Sequence, residues 1–246
     1  MPRELCYLSM LCEPGSAERA VCGAHADGAD DGAWLAARLA ERGLGGAFRH
    51  TTIDIARGEA LPPVERYDCV VLGGTFHGVH DGRPWQQPLR EWLAAHRRTG
   101  RPLLGICGGH QAMAVVAGGE VARRAGGTAL GSVPLSLTPA GAAHPLLAAL
   151  PPAPRFHFGN SDHVCAVPPG AAVLATTPDS PAVALDYPGC GWCSVQFHPE
   201  ASHTIFQHWV DEGVLGAPPD EHAFRPLSNG AQLLANFLDG RWQPRL

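Results

Sequence analysis

No stretch of this 246-residue chain approaches the ~20 consecutive apolar residues that a membrane-spanning helix needs. The opening residues, MPRELCYLSMLCEP, include an acidic side chain, no long apolar core and no small-residue cleavage site, so a secretory leader is not expected. There is no basic surplus either: 18 basic against 23 acidic side chains give a formal net charge of -5. The basic residues are dispersed, and the pairs Arg97-Arg98 and Arg123-Arg124 read as solvated faces. Neither a nucleic-acid nor a membrane partner is expected. The chain holds no HExxH pattern and no GxxxxGK[ST] phosphate loop. Its thirteen histidines therefore form no recognisable ligand set, and neither a metal nor a cofactor is expected. Eight cysteines are too few for a disulfide scaffold at this length, and the expectation is reduced thiols in a cytoplasmic protein. Repeats and low-complexity linkers are absent too, so residues 1–246 read as one domain, large enough for a substantial core.

One cysteine pair needs separate treatment. Cys190-Gly191-Trp192-Cys193 has the spacing of a redox or zinc motif, but it precedes a strand-like run where a thioredoxin-type motif would open a helix. No second pair stands at zinc spacing. Two ordinary buried thiols are the preferred reading, with a reversible disulfide as the alternative.

What is present is an alternation of short apolar runs and longer amphipathic ones, the pattern of an α/β sheet. Strands are expected at Leu5–Leu11, Phe48–Ile55, Tyr67–Leu72 and Pro102–Ile106, and helices at Ala33–Glu41, Trp85–Arg98 and His110–Ala117. A Gly-, Ala- and Asp-rich segment follows the first strand. Beyond about Gly131 come short strands at GSVPLSLTP, RFHFGN, AAVLATT, AVALDY and CSVQF, then helices at about Thr204–Glu212 and Gln232–Leu238.

The chemistry centres on PLLGICGGHQAMA, where a buried strand runs into Gly105-Ile106-Cys107-Gly108-Gly109 and then a helix. That is the layout of a nucleophile elbow, a turn so tight that its flanking residues must be small. It projects the Cys107 sulfur at the carboxyl edge of the sheet, beside a helix N-terminus that favours negative charge. A nucleophile needs a base, and the base needs an orienting group. His198 and Glu200 in QFHPE lie two apart after a strand-like run, so extended backbone projects both to one side. An oxyanion cradle is available from the N–H of Gly108 and from the Gly73-Gly74 turn after YDCVVL, each donor worth roughly 3 kcal/mol.

Together, GICGGHQ and VQFHPE resemble the class I glutamine amidotransferase domain. The likeness runs from about Tyr67 to His208 and is closest to the stand-alone GMP synthase-like branch, which includes γ-glutamyl peptidases. It implies a flavodoxin-like α/β fold, with a central, mostly parallel sheet flanked by helices. It also implies a Cys107–His198–Glu200 triad, oxyanion amides at Gly74 and Gly108, and substrate contacts from Gln111, Thr75, Asn160 and Asp162. The chain departs from the family pattern at three places. Gly108 stands where relatives carry a larger side chain, Thr75 where many have proline, and Asn160 where a histidine is usual.

Three readings remain. The resemblance implies a hydrolase of a small-molecule γ-glutamyl amide working through a γ-glutamyl thioester. The alternative is a glutaminase that delivers ammonia to a separate synthase. A non-catalytic homologue that binds a γ-glutamyl ligand is the third, disfavoured by the complete triad. His77, His80 and Asp81 in GGTFHGVHDG read as solvated loop residues, with a pocket for a larger leaving group as the alternative.

Overall fold

The computed structural model describes residues 2–14 and 30–240. In chain order the elements begin with β1 (Arg3–Ser9), α1 (Asp31–Glu41), β2 (Phe48–Asp54), β3 (Cys69–Leu72), α2 (Gln86–Arg97), β4 (Leu103–Ile106) and α3 (Gly108–Val116). There follow β5 (Glu120–Arg123), β6 (Ala129–Pro134), β7 (Ser136–Leu137), α4 (Pro139–Ala143), β8 (Arg155–Asn160) and β9 (Asp162–Ala166). The last are β10 (Ala172–Thr177), β11 (Ser180–Tyr187), β12 (Trp192–Val195), α5 (His203–Asp211) and α6 (Asn229–Asp239). The Gly-, Ala- and Asp-rich segment after β1 lies mostly outside the described residues.

Eight strands form one sheet in the order β2-β1-β3-β4-β12-β11-β10-β7. From β2 to β12 every pairing is parallel, and from β12 outward every pairing is antiparallel. The central strands CVVL, LLGI and WCSV are buried at every position, as strands covered on both faces must be. Along β1 the side chains alternate: Leu5 and Tyr7 pack with Leu35, Leu39 and Phe237 on one face, Cys6 and Leu8 with Leu89, Trp92 and Met113 on the other. Each large apolar side chain so buried contributes about 1.5–3 kcal/mol. At α1, Asp30 caps the helix by accepting from the Ala33 N–H at 2.8 Å.

The structure departs from the expected elements in three places. A ribbon of β5 and β9 has no counterpart among the expected strands. Its residues, EVAR and DHVCA, mix polar and apolar too briefly to read as strands; pairing and the packing of Val121 and Val164 against the core make them so. The stretch GSVPLSLTP divides between two sheets, β6 pairing with β8 and β7 with β10. A short helix, α4, follows where Thr138 Oγ1 accepts from the Gly141 N–H at 3.0 Å. The expectation of eight reduced cysteines fails at Cys12, which is disulfide-bonded; a count over the whole chain says nothing about one pair. Among the described residues, six cysteines are free. Among the described residues no helix is long and apolar enough to cross a membrane.

The order 2-1-3-4 reverses direction at β1, so loops from the carboxyl ends of β1, β3, β4 and β12 converge beside that switch point. Open α/β sheets bind their ligands there.

Candidate active site

At the end of β4, Cys107 has φ 52° and ψ -104°, one of two non-glycine residues with positive φ among those described. Holding such a conformation costs on the order of 1–3 kcal/mol. Its surroundings enforce it: the Cys107 N–H donates to Val195 O at 2.8 Å, and the Gly109 N–H to Gly73 O at 3.0 Å. The two flanking glycines are sterically required. A Cβ on Gly109 would lie 2.4 Å from the Leu72 carbonyl oxygen, and one on Gly105 would meet Met113 Sδ at 2.3 Å. Cys107 is thus turned out of line at the first residue before α3.

His198 follows β12 and is registered by backbone, its N–H donating to His157 O at 2.9 Å. Nδ1 lies 2.7 Å from Glu200 Oε1, and both side chains are buried. Burial alone would pull the imidazole pKa down, but the Glu200 carboxylate and the Cys107 sulfur outweigh it and hold the ring well above its ordinary value. The structure therefore brings Cys107, His198 and Glu200 together.

Gly74 closes the group. A Cβ there would stand 3.0 Å from His198 Cε1 and 3.5 Å from Cys107 Cβ. Neither the Gly74 nor the Gly108 N–H donates a hydrogen bond among the described residues. Beneath this turn lie side chains that no sequence motif singles out. A Cβ on Gly73 would meet Tyr7 Oη at 2.5 Å and Asp31 Oδ2 at 2.9 Å, while the Ser9 hydroxyl donates to Asp31 Oδ1 at 2.7 Å. Burial, reinforced by the Glu200 charge, pushes the Asp31 carboxyl up to about 7 despite the Ser9 hydrogen bond. Only the sheet order carries Tyr7 and Asp31 under β3.

A cavity of about 550 Å³ opens over the sulfur, lined by Cys107, Thr75, Gln111, Asn160 and Asp162. Every substrate-contact residue expected from the sequence is therefore on its wall. Gln111 is largely committed: its Nε2 donates to Asp162 O at 2.9 Å and to Gln196 Oε1 at 3.1 Å. Asn160 Nδ2 also donates to Asp162 O, at 2.9 Å, which leaves its buried Oδ1 without a partner. The Asp162 carboxylate faces Arg123 at 3.4 Å. The opposite wall, Val214 to Pro219, follows α5 and carries no motif that would have announced it.

The Thr75–Arg83 loop overturns part of the expectation for its histidines. His80 is exposed, but His77 is mostly buried, its Nε2 2.9 Å from Glu13 Oε2. Glu13 is itself buried and accepts from Arg83 Nε and from Trp85 Nε1, at 2.9 and 3.1 Å. The Arg83 hydrogen bond, above all, holds its carboxyl below the ordinary range. From α2, Gln86 Nε2 donates to Gly78 O at 2.7 Å and Arg90 donates to Val79 O. The loop is pinned, not solvated, because a glutamate some sixty residues upstream reaches it.

Other polar candidates belong to the scaffold. His110, beside the elbow, meets Ser194 Oγ at 2.7 Å and Ala182 O at 3.2 Å, and burial pulls its pKa down to about 4. It ties α3 to the sheet as a neutral side chain. Cys190 and Cys193 are free, and burial raises both thiols. Among the described residues, His144, Asp186 and Cys193 bring ligand atoms within 4.8 Å of one another. The His144 Nδ1 accepts from the Leu146 N–H at 3.2 Å, so Nε2 carries the proton and faces Asp186 as a donor. A metal ligand needs that lone pair free.

The α/β sheet thus carries a strained cysteine and a buried histidine–carboxylate pair at its switch point. The family model for glutamine amidotransferase class-I matches residues 32–216, and the chain belongs to that family. It is 35% identical over 189 residues to the glutamine-hydrolysing GMP synthase of Aeropyrum pernix, covering 75% of this chain but only 34% of that one. It is 33% identical over 158 residues to a glutamine-hydrolysing GMP synthase subunit of Ignicoccus hospitalis, covering 61% of this chain and 80% of that one. A glutamine amidotransferase from Thermotoga maritima shares the fold, with a TM-score of 0.74, 19% identity and 98% of each chain covered.

Proposed function

We propose that the chain hydrolyses a γ-glutamyl amide, with Cys107, His198 and Glu200 as nucleophile, base and orienting carboxylate. The observation that carries this reading is the grouping of the three, with Cys107 on the cavity wall, Nδ1 of His198 2.7 Å from Glu200 and the free Gly74 and Gly108 amides alongside. His198 takes the Cys107 thiol proton, and the thiolate attacks the γ-carbonyl carbon and forms a C–S bond. The carbonyl oxygen gains the negative charge and is met by the two amides. His198 gives its proton to the leaving nitrogen as the C–N bond breaks, which leaves a γ-glutamyl thioester. His198 then removes a proton from water, and the hydroxide releases glutamate and restores the cysteine. Glu200 holds the imidazole tautomer and offsets its charge throughout.

A second reading is favoured by the similarity to the Ignicoccus hospitalis chain, a GMP synthase subunit. In it the amide is that of glutamine, and the ammonia passes to a partner synthase. Hydrolysis of glutamine and of a panel of γ-glutamyl amides by the isolated protein, with Cys107→Ala as blank, tests both. Brisk turnover of conjugates supports the hydrolase. Weak glutamine turnover that rises with a co-purified protein supports the partnered glutaminase. Turnover surviving in Cys107→Ala contradicts both.

A further inference from the structure

Two residues of the QFHPE stretch, His198 and Glu200, belong to the triad; Gln196 does not, and its place needs another reason. It follows the last residue of β12, its N–H donates to Val183 O at 2.9 Å, and it is fully buried. A buried amide is costly unless its hydrogen bonds are made. Gln196 makes one through its side chain: Oε1 accepts from Gln111 Nε2 at 3.1 Å, while its own Nε2 has no partner.

Asp162 settles how these amides are turned. Its main-chain oxygen can only accept, so Gln111 must present Nε2 to it, at 2.9 Å. The second N–H of that nitrogen goes to Gln196, which must turn Oε1 to receive it. Both N–H bonds of Gln111 are thereby taken. Its Oε1 accepts no hydrogen bond among the described residues, and the side chain lines the cavity beside Cys107. With no acceptor at Gln196, one N–H would be released, and the amide would be free to donate to a ligand as well as accept from it.

We infer that Gln196 is a positioning residue: by taking the second N–H of Gln111 it leaves that amide an acceptor alone, so the group recognised there is an N–H donor of the substrate. Within a γ-glutamyl moiety that group is the α-ammonium. The inference rests on the γ-glutamyl reading and deepens it, restricting the substrates to those whose α-amine is free. The Gln196 side chain makes no hydrogen bond to Cys107, His198 or Glu200 among the described residues, so changing it leaves the triad in place.

The test measures glutamine against glutaramate, the same molecule without its α-amine, and γ-glutamyl-p-nitroanilide against glutaryl-p-nitroanilide, matched in the same way. In the intact protein, kcat/KM for the amine-bearing member of a pair exceeds that for its match by about tenfold or more, as a charge-assisted hydrogen bond provides. Gln196→Met, close to glutamine in length but without the oxygen, brings the ratio to within about threefold. KM for the amine-bearing substrate rises while kcat stays within about threefold. Gln196→Glu keeps an oxygen for the Gln111 N–H and gives up a nitrogen that has no partner, so it restores the ratio. Should Gln196→Met fail to fold, Gln196→Asn withdraws the acceptor by one methylene and is read the same way. Calorimetric binding of the four compounds to Cys107→Ala, with and without the Gln196 changes, follows the same order.

A fall in kcat at unchanged KM, shared by Gln196→Met and Gln196→Glu, would make Gln196 a structural residue and overturn the inference. So would a ratio that survives Gln196→Met, or equal rates for both members of each pair. All three leave the hydrolytic reading standing. Amine-dependent binding that Gln196→Met abolishes, with no turnover by the intact protein, would uphold the positioning role and remove the hydrolytic reading. Neither turnover nor binding of any of the four would overturn both.

Discussion

Gly108 and Thr75 occupy one another's space: a Cβ on Gly108 would stand 2.5 Å from Thr75 Cγ2 and 3.1 Å from the Thr75 nitrogen. Two departures from the family pattern, a glycine after the nucleophile and a threonine after the glycine pair, are therefore a single adjustment. The pair sets how closely the β3 loop approaches the elbow, and with it the separation of the two proposed oxyanion amides.

From this contact, Gly108→Ala should lower kcat/KM by at least about tenfold, because overpacking displaces the loop at a cost of about 1–3 kcal/mol. Thr75→Ser removes Cγ2 but keeps the Oγ1 that accepts the His77 N–H at 3.1 Å. The double variant should recover much of the loss, with a coupling of about 1 kcal/mol in a double-mutant cycle. Additive effects would mean that the two positions do not share the strain.

Glu200→Gln keeps the size of the side chain and removes its charge. The loss in kcat should be about 10²–10⁴-fold, with little change in KM, because the imidazole loses both its orientation and its counter-charge. Steady-state kinetics across pH would read this directly, and a near-normal kcat would assign the orienting role elsewhere.

Stability should peak near neutral pH. Burial depresses His96 and His110 to about 4 and His157 to about 3, from an ordinary 6.5. Between about pH 4 and 6.5 these three bind protons only when unfolded, so acid favours the unfolded chain. Asp31, raised from 3.8 to about 7, acts in the opposite sense over much of that range. For these four groups the net is two protons taken up on unfolding, which lowers stability by about 2.7 kcal/mol per pH unit at the steepest point. Above 6.5 the raised pKa of His198 reverses the slope, since the folded state then holds the extra proton. Denaturant titrations at several pH values would show the maximum. A monotonic rise through pH 8 would contradict the assignment of His198 as the group charged in the folded state.

How much of the site could be read in advance depended on how local each residue's reason was. Gly105, Cys107 and Gly109 are legible because a tight turn demands small residues on either side of Cys107 within one short stretch. His198 and Glu200 are legible because they stand only two residues apart, just past the end of a strand-like run. Tyr7, Asp31 and Glu13 are not, since their roles arise from β1 lying next to β3, and no residue near them in sequence records that neighbour. The β5–β9 ribbon escapes for a related reason: its short strands carry only single apolar anchors, Val121 and Val164, which pack into the core. His77 misleads because a histidine between glycines looks solvated until a distant carboxylate is brought against it.

That Cys107 is the nucleophile is tested most directly by labelling. A glutamine analogue whose amide is replaced by a diazoketone alkylates the attacking atom, and peptide mapping locates the adduct. Cys165 is free and exposed, so it serves as an internal control for mere accessibility. One adduct is expected, on the buried Cys107, formed in step with loss of hydrolysis and slowed in His198→Ala. An adduct on Cys165 alone, with hydrolysis continuing, would contradict the assignment.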